Sequence, residues 1–192
     1  MKNILTVLMM GLIPVMVMAQ ENAAWNHHLC AVVLTYDDGV NGHLDKVIPQ
    51  LDSAEIKGTF FVNASAATIP VRIDDWRAAA EKGHELGNHT LFHPCSGIGR
   101  DWVNPNYDLN HYTLERALDE IRMASSLLYA IDHKRERTFA YTCGDTTAGK
   151  DSFNRIIQKD FLAARSVTPR FEDADSVNLY DIGSFMMMGH TG

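Results

Sequence analysis

The sequence predicts an α/β domain built on a parallel sheet. Short apolar runs ending in turn residues alternate with stretches of helical periodicity, the pattern of strands joined by crossover helices. Clusters of acidic residues and histidines directly follow two of those runs, where parallel α/β folds gather their active sites. Of 192 residues, 46% are hydrophobic and 21% charged, which excludes disordered, collagen-like and coiled-coil chains.

Taken in order, the chain opens with Lys2, an apolar run over 4–17 and a small Ala19, the layout of a secretory signal over 1–19. The run falls short of the ~20 residues of a spanning helix, and Gly11 and Pro14 interrupt it. A mature domain over 20–192, secreted or periplasmic and without stable membrane insertion, is expected; an uncleaved anchor is the alternative. Residues 31–35 read as a buried strand cut off by Asp37-Asp38-Gly39. Residues 43–54 place Leu44, Val47, Ile48 and Leu51 at helical spacing. Residues 59–62 are a second strand, rich in β-branched and aromatic side chains, and 74–82 a helix closed by Gly83. Residues 85–88 give a third strand. The strongest helix is 114–131, with Leu114, Ala117, Leu118, Ile121, Ala124, Leu128 and Ile131 on one stripe. Residues 138–141 read as a strand, 151–159 as a helix and 161–164 as a fifth strand. Residues 91–110 lack periodicity, and a loop that long inside a domain is usually functional or mobile.

The formal charge of −7 argues against nucleic acid and anionic lipid as partners, because both require a basic face. Three cysteines, Cys30, Cys95 and Cys143, leave at least one unpaired within the chain. None stand at C-x-x-C spacing, which disfavours a finger-type zinc site.

Two clusters carry chemistry. In Thr35-Tyr36-Asp37-Asp38-Gly39, adjacent carboxylates after an apolar strand repel unless a cation or donors compensate, and the glycine lets both approach one site. An acidic turn with Asp38 capping the next helix is the alternative. In His89-Thr90-Leu91-Phe92-His93, the histidines are four apart; on a helical turn both imidazoles would reach one ion. Asp38, His89 and His93 make a two-histidine, one-carboxylate set with positions open for water and substrate. A surface histidine pair is the alternative.

These clusters resemble the first two motifs of the polysaccharide deacetylase family, also called the NodB homology domain or carbohydrate esterase family 4. T-F-D-D-G is matched with Tyr36 for Phe, and H-S/T-x-x-H is matched in full. Gly58-Thr59-Phe60-Phe61-Val62 resembles the strand between them, and Gly83-His84-Glu85-Leu86-Gly87-Asn88 the approach to the second. The likeness covers about residues 29 to 165. It implies a distorted, incomplete (β/α) barrel.

Phe139-Ala140-Tyr141-Thr142-Cys143-Gly144 aligns with the third motif, F-R-x-P-x-G, with Ala140 where an arginine often orients the catalytic aspartate and Thr142 where proline is expected. The terminal motif that supplies a general acid is not visible before His190, so the chain is expected to lack the C-terminal part of the domain and to leave a sheet edge unpaired.

The resemblance implies hydrolysis of acetyl groups on N-acetylated glycans such as chitin oligomers or peptidoglycan. Asp38, His89 and His93 would hold a divalent ion, zinc first, with cobalt or nickel fitting on ligand type. Water activated by that ion would attack the acetyl carbonyl, with Asp37 as general base and the Cys143 backbone N–H on the oxyanion. An O-acetyl esterase acting on xylan, or a non-catalytic glycan binder, are the competing readings. A disulfide between Cys95 and Cys143 would lie beside the site. His27, His28, His111 and His133 read as solvated surface, residues 186–188 as core or buried strand, Trp76 as a helix anchor and Trp102 as a candidate for stacking on a sugar.

Overall fold

Thr59, Phe60, Phe61 and Val62 are all buried, as a strand covered on both faces requires. In the computed structural model, which describes residue 28 and residues 30–187, they form β2 (Thr59–Val62). Around it lie β1 (Thr35–Asp37), β3 (Glu85–Asn88), β4 (Phe139–Ala140) and β7 (Ala164–Arg165), all parallel, in the order β1-β2-β3-β4-β7. The hairpin of β5 (Thr147–Ala148) and β6 (Asp151–Ser152) stands apart from this sheet. The helices are α1 (Ile48–Ser53), entered through a π-helical turn at His43–Val47, α2 (Ile69–Glu81), α3 (Leu114–Asp132) and the short α4 (Asn154–Ile157). Among the described residues, no helix is long and apolar enough to cross a membrane. The predicted signal over 1–19, His27, Met188 and His190 lie outside those residues.

Strand alternation divides the sheet into two faces. Tyr36, Phe60 and Leu86 lie in register and pack against Ile48 and Leu51 of α1, Trp76 and Ala79 of α2 and Leu128 of α3. Phe139 continues that face into a second cluster with Leu118 and Ile121 of α3. Asp37, Phe61 and Gly87 share the opposite face, joined by Ala140 and Arg165. A side chain at Gly87 would collide with the Phe61 ring, so this face carries only what fits around that ring.

The sheet is strongly curled. In a flat sheet β1 and β7 would lie four strand spacings apart, about 19 Å, farther than an arginine reaches. Yet Nη2 of Arg165 donates to both Asp37 carboxylate oxygens, at 2.6 and 2.5 Å. The two outer strands are thus tied across the mouth of an open half-barrel, the distorted and incomplete (β/α) barrel expected from sequence. The outer side of β7 is not the unpaired edge anticipated above. Ala164 N–H bonds to Leu179, Ile182 N–H to Ala164 and Ser166 N–H to Ile182.

Several elements differ from expectation. The strand predicted over 31–35 begins only at Thr35, and Val32 and Val33 are exposed rather than buried. Helix α2 starts five residues before the predicted 74: Pro70 is pre-set for a first helical turn, while Arg72, at φ −136°, kinks the helix and breaks its periodicity. The helix predicted over 151–159 is reduced to α4, because Gly149, at φ 59°, turns the chain so that Asp151 and Ser152 pair back onto β5. Met186 and Met187 are exposed, not core. Trp76 is fully buried and donates its indole N–H to Thr68, as its anchoring role requires. Trp102 is exposed in the 91–110 loop.

Candidate metal centre

The carboxyl ends of β1 and β3 bring the predicted ligands together. Asp38 follows β1 directly and His89 follows β3. Nε2 of His93 lies 3.3 Å from Asp38 Oδ1, and Nε2 of His89 lies 3.7 Å from the same oxygen. The two imidazoles meet edge to face, 4.7 Å between ring centres. They do so without the helical turn expected between them. Thr90 and His93 adopt left-handed backbone, at φ 64° and 54°, so a tight loop rather than helical spacing converges the rings. Asn88, fully buried, builds that loop. Its Oδ1 accepts the Thr90 N–H and its Nδ2 donates to Ile121 and Ser125 of α3, while Thr90 Oγ1 accepts the His93 N–H.

Left-handed conformations concentrate here. Of six non-glycine residues with positive φ among the described ones, four are Asp38, Thr90, His93 and Cys143; the other two, Glu55 and His133, sit at helix ends. Such conformations cost of order 1–3 kcal/mol each and persist where surrounding structure enforces them. Asp38 is therefore a strained loop residue and not the cap of the following helix, whose N-cap is Gly42.

The donor set fits a divalent cation. His89 is buried, and its Nδ1 lies 2.9 Å from the Ala140 carbonyl, which can only accept. That contact puts the proton on Nδ1 and leaves the Nε2 lone pair facing the Asp38 carboxylate. Two acceptors aimed at each other call for a cation between them. All three donor atoms lie within 4.8 Å of one another, and a tetrahedral ion with bonds of about 2.0–2.1 Å would space them about 3.3 Å apart. His89 is almost inaccessible, whereas the Asp38 side chain is 51% exposed, so the site opens on that side. A second grouping, His93 with Cys95 and Cys143, is not a thiolate site. Those two sulfurs form a disulfide, and Cys30 is the free, exposed cysteine.

That disulfide joins the His93 loop to the segment carrying Cys143, with further ties alongside. Arg100 pairs with Asp145 at 2.7 Å and donates to the Cys143 carbonyl, Ser96 N–H bonds to Asp145, and Thr142 donates to the Pro94 carbonyl. Sequence reasoning missed Arg165, which holds Asp37, and Arg100; no local signal marks either, since each acts on a residue more than forty positions away. His28, His111 and His133 are exposed as expected.

Burial holds the His89 imidazole well below the ordinary histidine range, and the nearby charge of Asp37 opposes that shift without reversing it. The neutral ring is the form that binds a metal. In the metal-free domain, folded His89 stays unprotonated down to about pH 4, whereas an unfolded histidine takes its proton near 6.5. In that window the unfolded chain binds the extra proton, so stability falls as pH is lowered. Denaturation of chelator-treated protein at pH 7 and pH 5 should show a smaller loss in His89→Gln than in the unmodified chain. His43, lowered by burial, and Glu120, raised by burial, act in both proteins and drop out of the comparison. Equal losses would contradict a neutral buried His89.

A family model described as polysaccharide deacetylase matches residues 27–158, more than half of the chain and both ligand loops. The chain belongs to the polysaccharide deacetylase family. Among curated proteins, a gellan lyase from a Bacillus species is 29% identical over 148 residues, which is 77% of this chain but only 5% of that protein's length. Among solved structures, the deacetylase PplD of Streptococcus pyogenes, determined with acetate, superposes with a TM-score of 0.65 at 18% identity, over 84% of this chain and 67% of that one. The BpsB deacetylase domain of Bordetella bronchiseptica gives 0.61 at 15% identity, over 79% and 69%. At these identities the structural likeness speaks for the polysaccharide deacetylase fold alone.

Proposed function

We propose that this chain is a metal-dependent hydrolase that removes acetyl groups from N-acetylated glycans, chitin oligomers or peptidoglycan, outside the cytoplasm. The observation that carries the reading is the convergence of Asp38, His89 and His93 beside Asp37 at the carboxyl ends of β1 and β3, two parallel strands that flank β2. A divalent ion there, with zinc favoured by the two-imidazole, one-carboxylate set, acts as Lewis acid toward a carbonyl and lowers the pKa of water.

The chain's own groups supply the rest. Asp38, His89 and His93 would hold the ion. Asp37 would take a proton from the attacking water, the Cys143 N–H, on its left-handed turn, would donate to the oxyanion, and the proton held by Asp37 would pass to the leaving amine as its bond to the acetyl carbon breaks. A cavity of about 410 Å³ adjoins Asp38, lined by Asn41, Asn63 and Ser65 beside apolar Val40, Ala66 and Ala67. Its neutral hydrogen-bonding groups suit an uncharged sugar ring. The Cys95–Cys143 disulfide supports an oxidising compartment.

The test is acetate release by zinc-loaded protein from acetylated chitooligosaccharide, peptidoglycan and acetylated xylan. Release from either of the first two above the xylan rate is the expected result. Release from xylan alone would replace the reading with an O-acetyl esterase, and binding without release with a glycan-binding role.

A further inference from the structure

Asp37 and Asp38 are adjacent on one chain, yet their carboxylates are engaged in different places. Asp38 faces the two imidazoles. Asp37 is held on the inner face of the half-barrel by Arg165, and among the described residues no other side chain hydrogen-bonds its carboxylate. The arginine is itself fixed on several sides. Its guanidinium lies over the Phe61 ring at 5.1 Å, and its Nη1 donates to the Ser166 carbonyl and to Ser184 Oγ. Ala140, its neighbour in register on β4, is small and fully buried, which leaves the guanidinium a path across the inner face.

We infer that Arg165 is the positioning residue for Asp37: it keeps the carboxylate apart from the ligand set and aims it for proton transfer. This inference rests on the functional reading above. Only Nη2 touches Asp37, and it occupies one acceptor site on each oxygen. An ionised carboxylate has about four such sites, so each oxygen keeps one free for water. Without Arg165, Asp37 is free to turn toward the cation that Asp38 faces, or out to solvent; either movement costs the near-attack geometry on which rate depends.

The test compares zinc-loaded Arg165→Ala and Arg165→Lys with the unmodified protein by crystallography, zinc analysis and steady-state kinetics. In Arg165→Ala the Asp37 carboxylate should leave its place beside Phe61 while zinc content is unchanged. kcat should fall about 100-fold, with KM within about threefold. Added guanidinium should restore part of kcat, and Arg165→Lys should recover about tenfold over alanine, since a single nitrogen makes both contacts. If Arg165→Ala does not fold, the lysine variant and its Asp37 position decide. An unmoved Asp37, a kcat within about twofold of the unmodified protein, or joint loss of zinc and turnover would overturn the inference. Absence of acetate release from the unmodified protein would instead overturn the functional reading; the crystallographic position of Asp37 would still decide the role of Arg165.

Discussion

Asp38→Ala should purify folded but nearly free of metal, with less than about a tenth of the zinc bound by the unmodified chain after equal dialysis. Asp38 is the oxygen donor that both Nε2 atoms approach, and its anion offsets half of a divalent charge that two imidazoles alone leave uncompensated. Two histidines alone leave an ion with water in its remaining positions, which is below what catalytic sites provide. The side chain is half exposed, so its truncation opens no core cavity. Elemental analysis of the dialysed protein is the measurement. Zinc retained at full stoichiometry would move the site elsewhere.

Asp37→Asn should show the opposite pattern: zinc intact and acetate release reduced by about 10²–10⁴. The amide keeps the shape but cannot take a proton. It also removes the charge that faces Arg165, whose side chain is mostly buried, so a stability loss of about 1.5–3 kcal/mol is expected. Assays therefore belong well below the unfolding midpoint. If zinc content fell as far as in Asp38→Ala, the division of roles between the two aspartates would be wrong.

The elements that sequence made legible are those whose local pattern and tertiary burial agree. β2 and β3 match their predicted spans, and α3 extends its prediction by one residue, because its apolar stripe alone faces the two core clusters. Where local pattern misleads, a distant partner or a turn decides. Val32 and Val33 have the composition of a buried strand but lie exposed, and residues 151–159 have helical composition but are redirected at Gly149.

The candidate metal ligands were legible as residues but not as geometry. The spacing of His89 and His93 pointed to one ion through a helical turn, whereas Asn88 and Thr90 achieve the convergence with a left-handed loop. Arg165 was out of reach for another reason. It meets Asp37 from 128 positions away, a contact that exists only because the sheet curls.

The covalent tie between Cys95 and Cys143 bears on how the protein must be made. It closes a segment of 48 residues, a constraint worth about 4 kcal/mol in the chain-entropy model, and it anchors the loop bearing His93. Material produced in a reducing host cytosol would carry free thiols at both positions. Its metal stoichiometry would then report on the production route as much as on the ligands, so periplasmic or oxidatively refolded preparations are the ones to compare.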